Sequence, residues 1–224
     1  MAYAFDFTAV AEYHAQLLSG VGYTLLLTAV GATLGVAMGT LGAVLRAWRI
    51  KPFAQVFGLY VELIRNTPFI VQLFFIFFGL PALGIRLAEW QAATLAVVIN
   101  LGAYSTEIIR AGIQAIPRGQ IEAAGSLAMT RSQIFRHVVL QPALQKVWPA
   151  LSSQIVIVML GTSVCSQIAA EELTFAANFI QSRNFRAFET YIVVALVYLG
   201  LSIALRALLA RLGQRFVVKR RAAA

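Results

Sequence analysis

Three groups of residues in this chain have the types and spacing to do chemistry. The first lies in the stretch 111–142, AGIQAIPRGQIEAAGSLAMTRSQIFRHVVLQP, the longest polar interruption in an otherwise almost continuously apolar sequence. It carries Arg118, Glu122, Arg131, Arg136 and His137, and the small residues Ala123, Ala124, Gly125 and Ser126 follow the lone acid. A carboxylate followed by small side chains suits docking: the backbone can approach closely while the acid meets a partner's cation. Charge-assisted contacts of that kind contribute about 1.5–3 kcal/mol. The second group is acid–base pairs inside apolar runs. Glu62 and Arg65 are three apart and share a helical face, and Glu107 and Arg110 repeat the spacing. The third is uncharged: Asn100, Tyr104, Thr162, Ser163 and Gln167, with Thr67 beside Pro68.

A charge within a membrane span costs roughly 2.5–3.5 kcal/mol unless it is paired or faces water. Glu62 and Arg65 therefore admit two readings, a brace near the membrane surface or the lining of a pathway or gate. The uncharged group also admits two, a polar route for a solute or hydrogen bonding between helices. Other chemistry is excluded more firmly. There is no G-x-x-x-x-G-K-[ST] loop and no Gly-Lys dipeptide, so the chain does not cradle ATP phosphates by that device. The single cysteine, Cys165, sits in an apolar run and reads as a small buried hydrophobe. No Ser-His-Asp arrangement can be assembled across a bilayer from these residues.

The elements that must position these groups follow from composition. The 224 residues are 60% hydrophobic and only 12% charged, with a mean hydropathy of +0.78. A soluble domain carries about 25% charged residues, so the chain belongs to the membrane class. The net charge of +9 sits in short segments between apolar runs, which excludes nucleic acid as the partner it serves. Residues 1–18 hold Asp6 and Glu12 but no Lys or Arg, so they do not read as a secretory signal. The lead-in 1–19 is expected to lie along the membrane surface.

Five spans are expected, at 21–45, 53–80, 90–110, 147–168 and 189–209, where about 20 residues suffice to cross the hydrocarbon. Gly31, Gly35 and Gly39 line one face of the first and predict close packing on a neighbour, within the bundle or at a dimer seam. Pro68 removes a donor and is expected to bend the second near Thr67. The connections 81–89 and 169–188 are expected outside, the latter holding Glu171, Glu172, Arg183 and Arg186. An outside N-terminus leaves only Arg86, Arg183 and Arg186 on the outer side. The other loop cations fall inside, including the tail residues Arg211, Arg215, Lys219, Arg220 and Arg221. This puts 111–142 in the cytoplasm and places His14 and His137 on opposite sides, which rules out a shared metal site.

The run Glu122-Ala123-Ala124, with Leu127, Phe135, Val139, Leu140 and Pro142 after it, resembles the EAA loop of ABC importer permeases. AYSTEIIRAGIQAIPRGQIEAA (103–124), VELIRNTPFIVQLFFIFFGLP (61–81) and GYTLLLT (22–28) are similar to the polar amino-acid subgroup, and the likeness runs from about residue 17 to 209. The resemblance implies an all-α membrane protein, a single permease domain over 1–224. Its five transmembrane helices take the type I ABC importer architecture, N-terminus outside and C-terminus cytoplasmic, in a bacterial inner membrane. It implies short coupling helices that dock on a cytoplasmic ABC ATPase dimer through Glu122, Ala123, Ala124, Ser126, Leu127 and Ala128. ATP and Mg would sit on that ATPase, with no cofactor on this chain. A second permease subunit, the same or a similar one, an extracytoplasmic solute-binding protein and a polar amino acid complete the implied partners.

Departures stand beside the likeness. The family usually has Gly where this chain has Ala128, Leu-Pro-Gln where it has Leu140-Gln141-Pro142, and Lys-Asp in place of Leu160-Gly161. The first two put the turn geometry in question, and the third removes a charge pair near the pathway. The rival classes are a self-sufficient channel or secondary transporter and a non-transporting scaffold. Secondary carriers commonly carry paired repeats, and no internal repeat is evident here.

Overall fold

In hydrocarbon every main-chain N–H and C=O must be satisfied within the protein, and an apolar run does this most simply as a helix. The computed structural model describes residues 5–217, and all regular structure among them is helical. A single turn, Thr8–Ala11, precedes α1, His14–Ala47. Then come α2, Phe53–Arg65; α3, Phe69–Leu83; α4, Glu89–Gln114; and the short α5, Arg118–Ser126. The chain closes with α6, Arg131–Ile168; α7, Leu173–Asn184; and α8, Ala187–Arg215. Helices α1, α4, α6 and α8 are each long and apolar enough to cross a membrane. A fifth crossing results if α2 and α3, bent by 113° at their junction, count as one broken span.

The helices outrun the apolar segments expected of them, because caps rather than hydropathy end a helix. The clearest case is α6, expected from 147. It begins at a capping box in which the Thr130 hydroxyl accepts from Gln133 N–H while Thr130 N–H donates to Gln133 Oε1 at 2.8 Å. It continues through Gln141-Pro142 by way of a widened turn at Ile134–Val139, a local adjustment of the kind that accommodates the missing proline donor. Residues 14–19, expected in the lead-in, already belong to α1.

Helix α4 is the axis of the bundle, contacting α1, α2, α3 and α6. The glycine stripe of α1 lies on it. A Cβ at Gly35 would sit 3.0 Å from Leu101 Cβ and 3.2 Å from Val98 O, and one at Gly39 would sit 2.9 Å from Thr106 N. The stripe is therefore a seam within the bundle, not one between copies. On the opposite side Gly112 receives Ala143 and Val147 of α6, and the Lys146 ammonium donates to Ala115 O at 2.8 Å, capping the C-terminus of α4.

The connection 169–188 is mostly helix, α7. Leu173, Ala177 and Ile180 are buried, and the start of α7 touches Gly20 of α1. Polar residues hid its apolar face from a reading by hydropathy. Glu172, also buried, caps α7 by accepting from Thr174 N and Phe175 N, and it accepts from the Tyr198 hydroxyl of α8 at 2.6 Å. Burial pushes its carboxyl above the usual range although these donors pull it down. Of the basic tail, Lys219, Arg220 and Arg221 lie outside the described residues.

Because the α1–α4 seam has no room for a side chain, Gly39→Leu is expected to lower unfolding stability in detergent by about 1–3 kcal/mol, the usual cost of overpacking. Gly22→Leu, whose Cβ meets nothing within 4 Å, serves as the control and is expected to be nearly neutral.

Candidate functional site

Directly after α4 the chain turns at Ile116 and Pro117 and enters α5. Arg118, Glu122 and Ala123 are exposed, Ala124 packs inward, and Leu127 is 78% exposed. The helix closes in a paired C-cap: Met129 N donates to Ala124 O at 3.3 Å and Ala128 N to Gly125 O at 3.0 Å. This cap places Ala128 at φ 57°, in the left-handed region that favours glycine. The turn thus keeps the geometry a glycine would give it, at the expense of a strained alanine. Ser126 Oγ returns to Glu122 O at 3.2 Å, leaving the Glu122 carboxylate outward. Behind α5 is an apolar hollow of about 1010 Å³, lined by Trp48, Ile50, Ile113, Ile116, Ile121 and Phe135 among others.

The second feature is the elbow between α2 and α3. Pro68 cannot donate to Ile64 O, the carbonyl four residues back, so the break leaves main-chain acceptors open. Side chains fill them. Thr67 Oγ1 donates to Leu63 O at 2.9 Å, and Asn66 Nδ2 adds a second donor, at 2.8 Å, to Glu62 O, which already accepts from Asn66 N–H. Gln72 Nε2 lies 2.7 Å from Ile64 O and 2.9 Å from Thr67 O. Gln72 Oε1 in turn accepts from Asn100 Nδ2 of α4 at 3.0 Å. One residue away, Tyr60 of α2 donates its hydroxyl to Ile99 O at 2.5 Å.

Beside the elbow lies a polar cavity of about 370 Å³ between α1, α2 and α4, lined by Arg46, Glu62, Arg65, Asn66, Tyr104 and Glu107, with Gly58 and Val61. Glu107 pairs with Arg110 as its spacing predicts, through Oε2 at 2.7 Å, and also with Arg46 of α1. Glu62 and Arg65 do not pair among the described residues: Arg65 places its guanidinium 5.5 Å from the Tyr104 ring centre, and Glu62 is exposed. Two arginines on one carboxylate and a third on a ring leave the cavity with cationic character at Arg65 and an anionic group at Glu62.

The structure brings Glu62, Arg65 and Tyr104 to this cavity and puts Thr67 at the elbow above it. Asn100 is buried and donates to Gln72. Thr162, Ser163 and Gln167 lie elsewhere, in the tighter last turns of α6, Thr162–Ile168, which pack against α3 and α4. Thr162 and Ser163 bond back to Met159 O and Leu160 O at 2.6 and 2.7 Å, and Gln167 is exposed. Two participants were missed from the sequence. Arg46 is 61 positions from its partner, with nothing local to announce it. Gln72 had a usable signal, an amide four residues after a proline within an apolar run.

Residues 16–218 match the protein family described as binding-protein-dependent transport system inner membrane component. The chain is 37% identical over 188 residues to the probable glutamine ABC transporter permease protein GlnM of Bacillus subtilis, covering 84% of this chain and 87% of that one. It is 34% identical over 219 residues to the glutamine transport system permease protein GlnP of Escherichia coli, covering 96% and 99%. Among solved structures, a chain of an amino acid ABC transporter crystallised with histidines superposes with a TM-score of 0.87 at 37% identity, over 96% of this chain and 100% of that one. The MetNI methionine ABC transporter, at 22% identity and a TM-score of 0.75 over 89% of this chain and 95% of that one, shares the fold.

Two substitutions test this geometry. Ala128→Gly is expected to raise stability by about 1 kcal/mol, since it relieves the left-handed strain at the end of α5. Glu107→Gln leaves two arginines without their carboxylate. It is expected to cost on the order of 2 kcal/mol, less than the 3–5 of a fully buried pair because these side chains are partly solvated. Denaturation in detergent, with Glu62→Gln as the comparison, measures both.

Proposed function

The chain belongs to the binding-protein-dependent transport system inner membrane components and is a permease subunit of an amino-acid ABC importer, and we propose that α5 is the handle by which a separate ATPase moves it. The single observation that supports this most is the form of α5. It is a short capped helix with an outward carboxylate at Glu122, small neighbours at Ala123 and Ser126, and an apolar Leu127 left 78% exposed. A large apolar side chain in water at the end of a polar helix favours a covering protein surface. In this reading Glu122, Ala123, Ser126, Leu127 and Ala128 meet an ABC ATPase, with Ala124 packing α5 from beneath. ATP and Mg are bound on that subunit, and this chain binds neither.

The orientation puts the N-terminus outside and the C-terminus and α5 in the cytoplasm of a bacterial inner membrane, on the distribution of Lys and Arg. The α2–α3 pair then counts as one broken span, giving five crossings. A second permease subunit, identical or similar, completes the pathway, and an extracytoplasmic solute-binding protein delivers the solute. The substrate class is a polar amino acid, in keeping with the names of the relatives. Exposed charge at the elbow would be costly against lipid, which favours Glu62, Arg65, Thr67 and Tyr104 as the lining or gate of the route. Thr162, Ser163 and Gln167 form a separate polar group further along it, and Asn100 serves it indirectly through Gln72.

The cycle needs only a bias. ATP binding draws the ATPase subunits together and carries the α5 helices with them. The permease state so favoured opens outward, and hydrolysis returns it inward. A difference of a few kcal/mol in nucleotide affinity between the two states suffices.

Glu122→Arg is expected to leave membrane insertion and helix content intact while abolishing co-purification with the ATPase in detergent. A complex that stays fully assembled and transports normally would show that α5 is not the handle.

A further inference from the structure

The elbow is tied to α4 at one place by both of its arms. From α2, the Tyr60 hydroxyl reaches Ile99 O at 2.5 Å; from α3, Gln72 Oε1 accepts from Asn100 Nδ2 at 3.0 Å. Ile99 and Asn100 are neighbours on α4, so one turn of that helix holds the two arms of a 113° bend. The same Gln72 amide closes the Ile64 carbonyl that Pro68 leaves open and also donates to Thr67 O. Further down α4 the helix runs to Gln114, its last carbonyls are capped by Lys146, and α5 follows after three residues.

We infer that the 99–100 turn of α4 is a two-point tether that transmits displacement of α5 to the elbow lining the polar cavity, with Gln72, Asn100 and Tyr60 as positioning residues. This rests on the proposed docking of α5 and adds the mechanical route from it. The bonds are suited to the task. Asn100 and Gln72 are buried, so water does not compete for them, and both arms bond to a helix rigidly seated between α1 and α6. A tether of this kind moves the elbow as a unit. With one arm attached, the same movement of α4 would instead open or close the angle.

The test uses the full chain assembled with its ATPase in nanodiscs, carrying one nitroxide label at a time. One reporter is at Gln120 on α5 and the other at Leu63 on α2, both exposed positions. Accessibility to a water-soluble nickel reagent is read without nucleotide and after trapping with ATP and vanadate. In the wild type both reporters should respond. In Tyr60→Phe/Asn100→Ala the Gln120 response is expected to persist while the Leu63 response falls by roughly threefold or more, in the range of mutations along a coupled network. Should that variant fail to assemble, Tyr60→Phe/Asn100→Ser replaces it. Returning Tyr60 and exchanging the amides, Gln72→Asn with Asn100→Gln, re-forms both arms and should restore most of the Leu63 response. A role in packing alone would lower the yield of complex but leave the two responses in proportion. The inference is overturned if both responses survive in the assembled variant, if both vanish together, or if the exchanged amides restore nothing. Failure of the docking proposal looks different, because the Gln120 reporter would then be unresponsive in the wild type.

Discussion

A helix that breaks inside a membrane must hand its open carbonyls to other donors, and this requirement shapes the centre of the molecule. Pro68 creates the break, and Thr67 and Gln72 supply the donors from the same short stretch of sequence. The self-capping lets α2 turn through 113° without exposing bare backbone to lipid. It also brings the charged end of α2 over the cavity that Arg46, Tyr104 and Glu107 complete. The cavity is thus a consequence of how the break is satisfied.

Charge follows the same economy. Glu107 holds two arginines from two helices, which joins α1 to α4 and neutralises part of a partly buried charge cluster. Arg65 is instead over an aromatic face, and Glu62 has solvent. The polar groups are therefore of two kinds: a paired set that holds helices together, and two less constrained charges at the elbow, Glu62 and Arg65. α4 touches both sets, through Glu107 and through the Tyr104 ring at Arg65, and leads through three residues into α5, while the glycine seam seats it closely against α1.

Much of this was legible in the sequence, and what was not has physical causes. Gly31, Gly35 and Gly39 announced a close seam by their spacing, although only the structure shows α4 as the partner. Pro68 marks the bend but not its size of 113°, nor the bonds by which Tyr60 and Gln72 tie the two arms to α4. Glu107 and Arg110 paired as their spacing implies, whereas Glu62 and Arg65, with the same spacing, did not, since Tyr104 offered Arg65 a competing face from another helix. Helix α7 within the connection 169–188 is not legible, because its buried face is made of Leu173, Ala177 and Ile180 among polar residues, with no run of hydrophobicity. Ala128 in place of the family's usual Gly raises the question of turn geometry in the sequence, and its φ of 57° answers it.

The claim on which the account turns is that α5 faces the compartment of the ATPase and is covered by it. The most direct measurement labels a cysteine introduced at Glu122, with the buried Cys165 replaced, using a membrane-impermeant thiol reagent on right-side-out and inverted vesicles. The account predicts labelling only in inverted vesicles stripped of the ATPase, and protection once the ATPase is added back. Labelling from the outer face of intact right-side-out vesicles, or none of that protection, would contradict it.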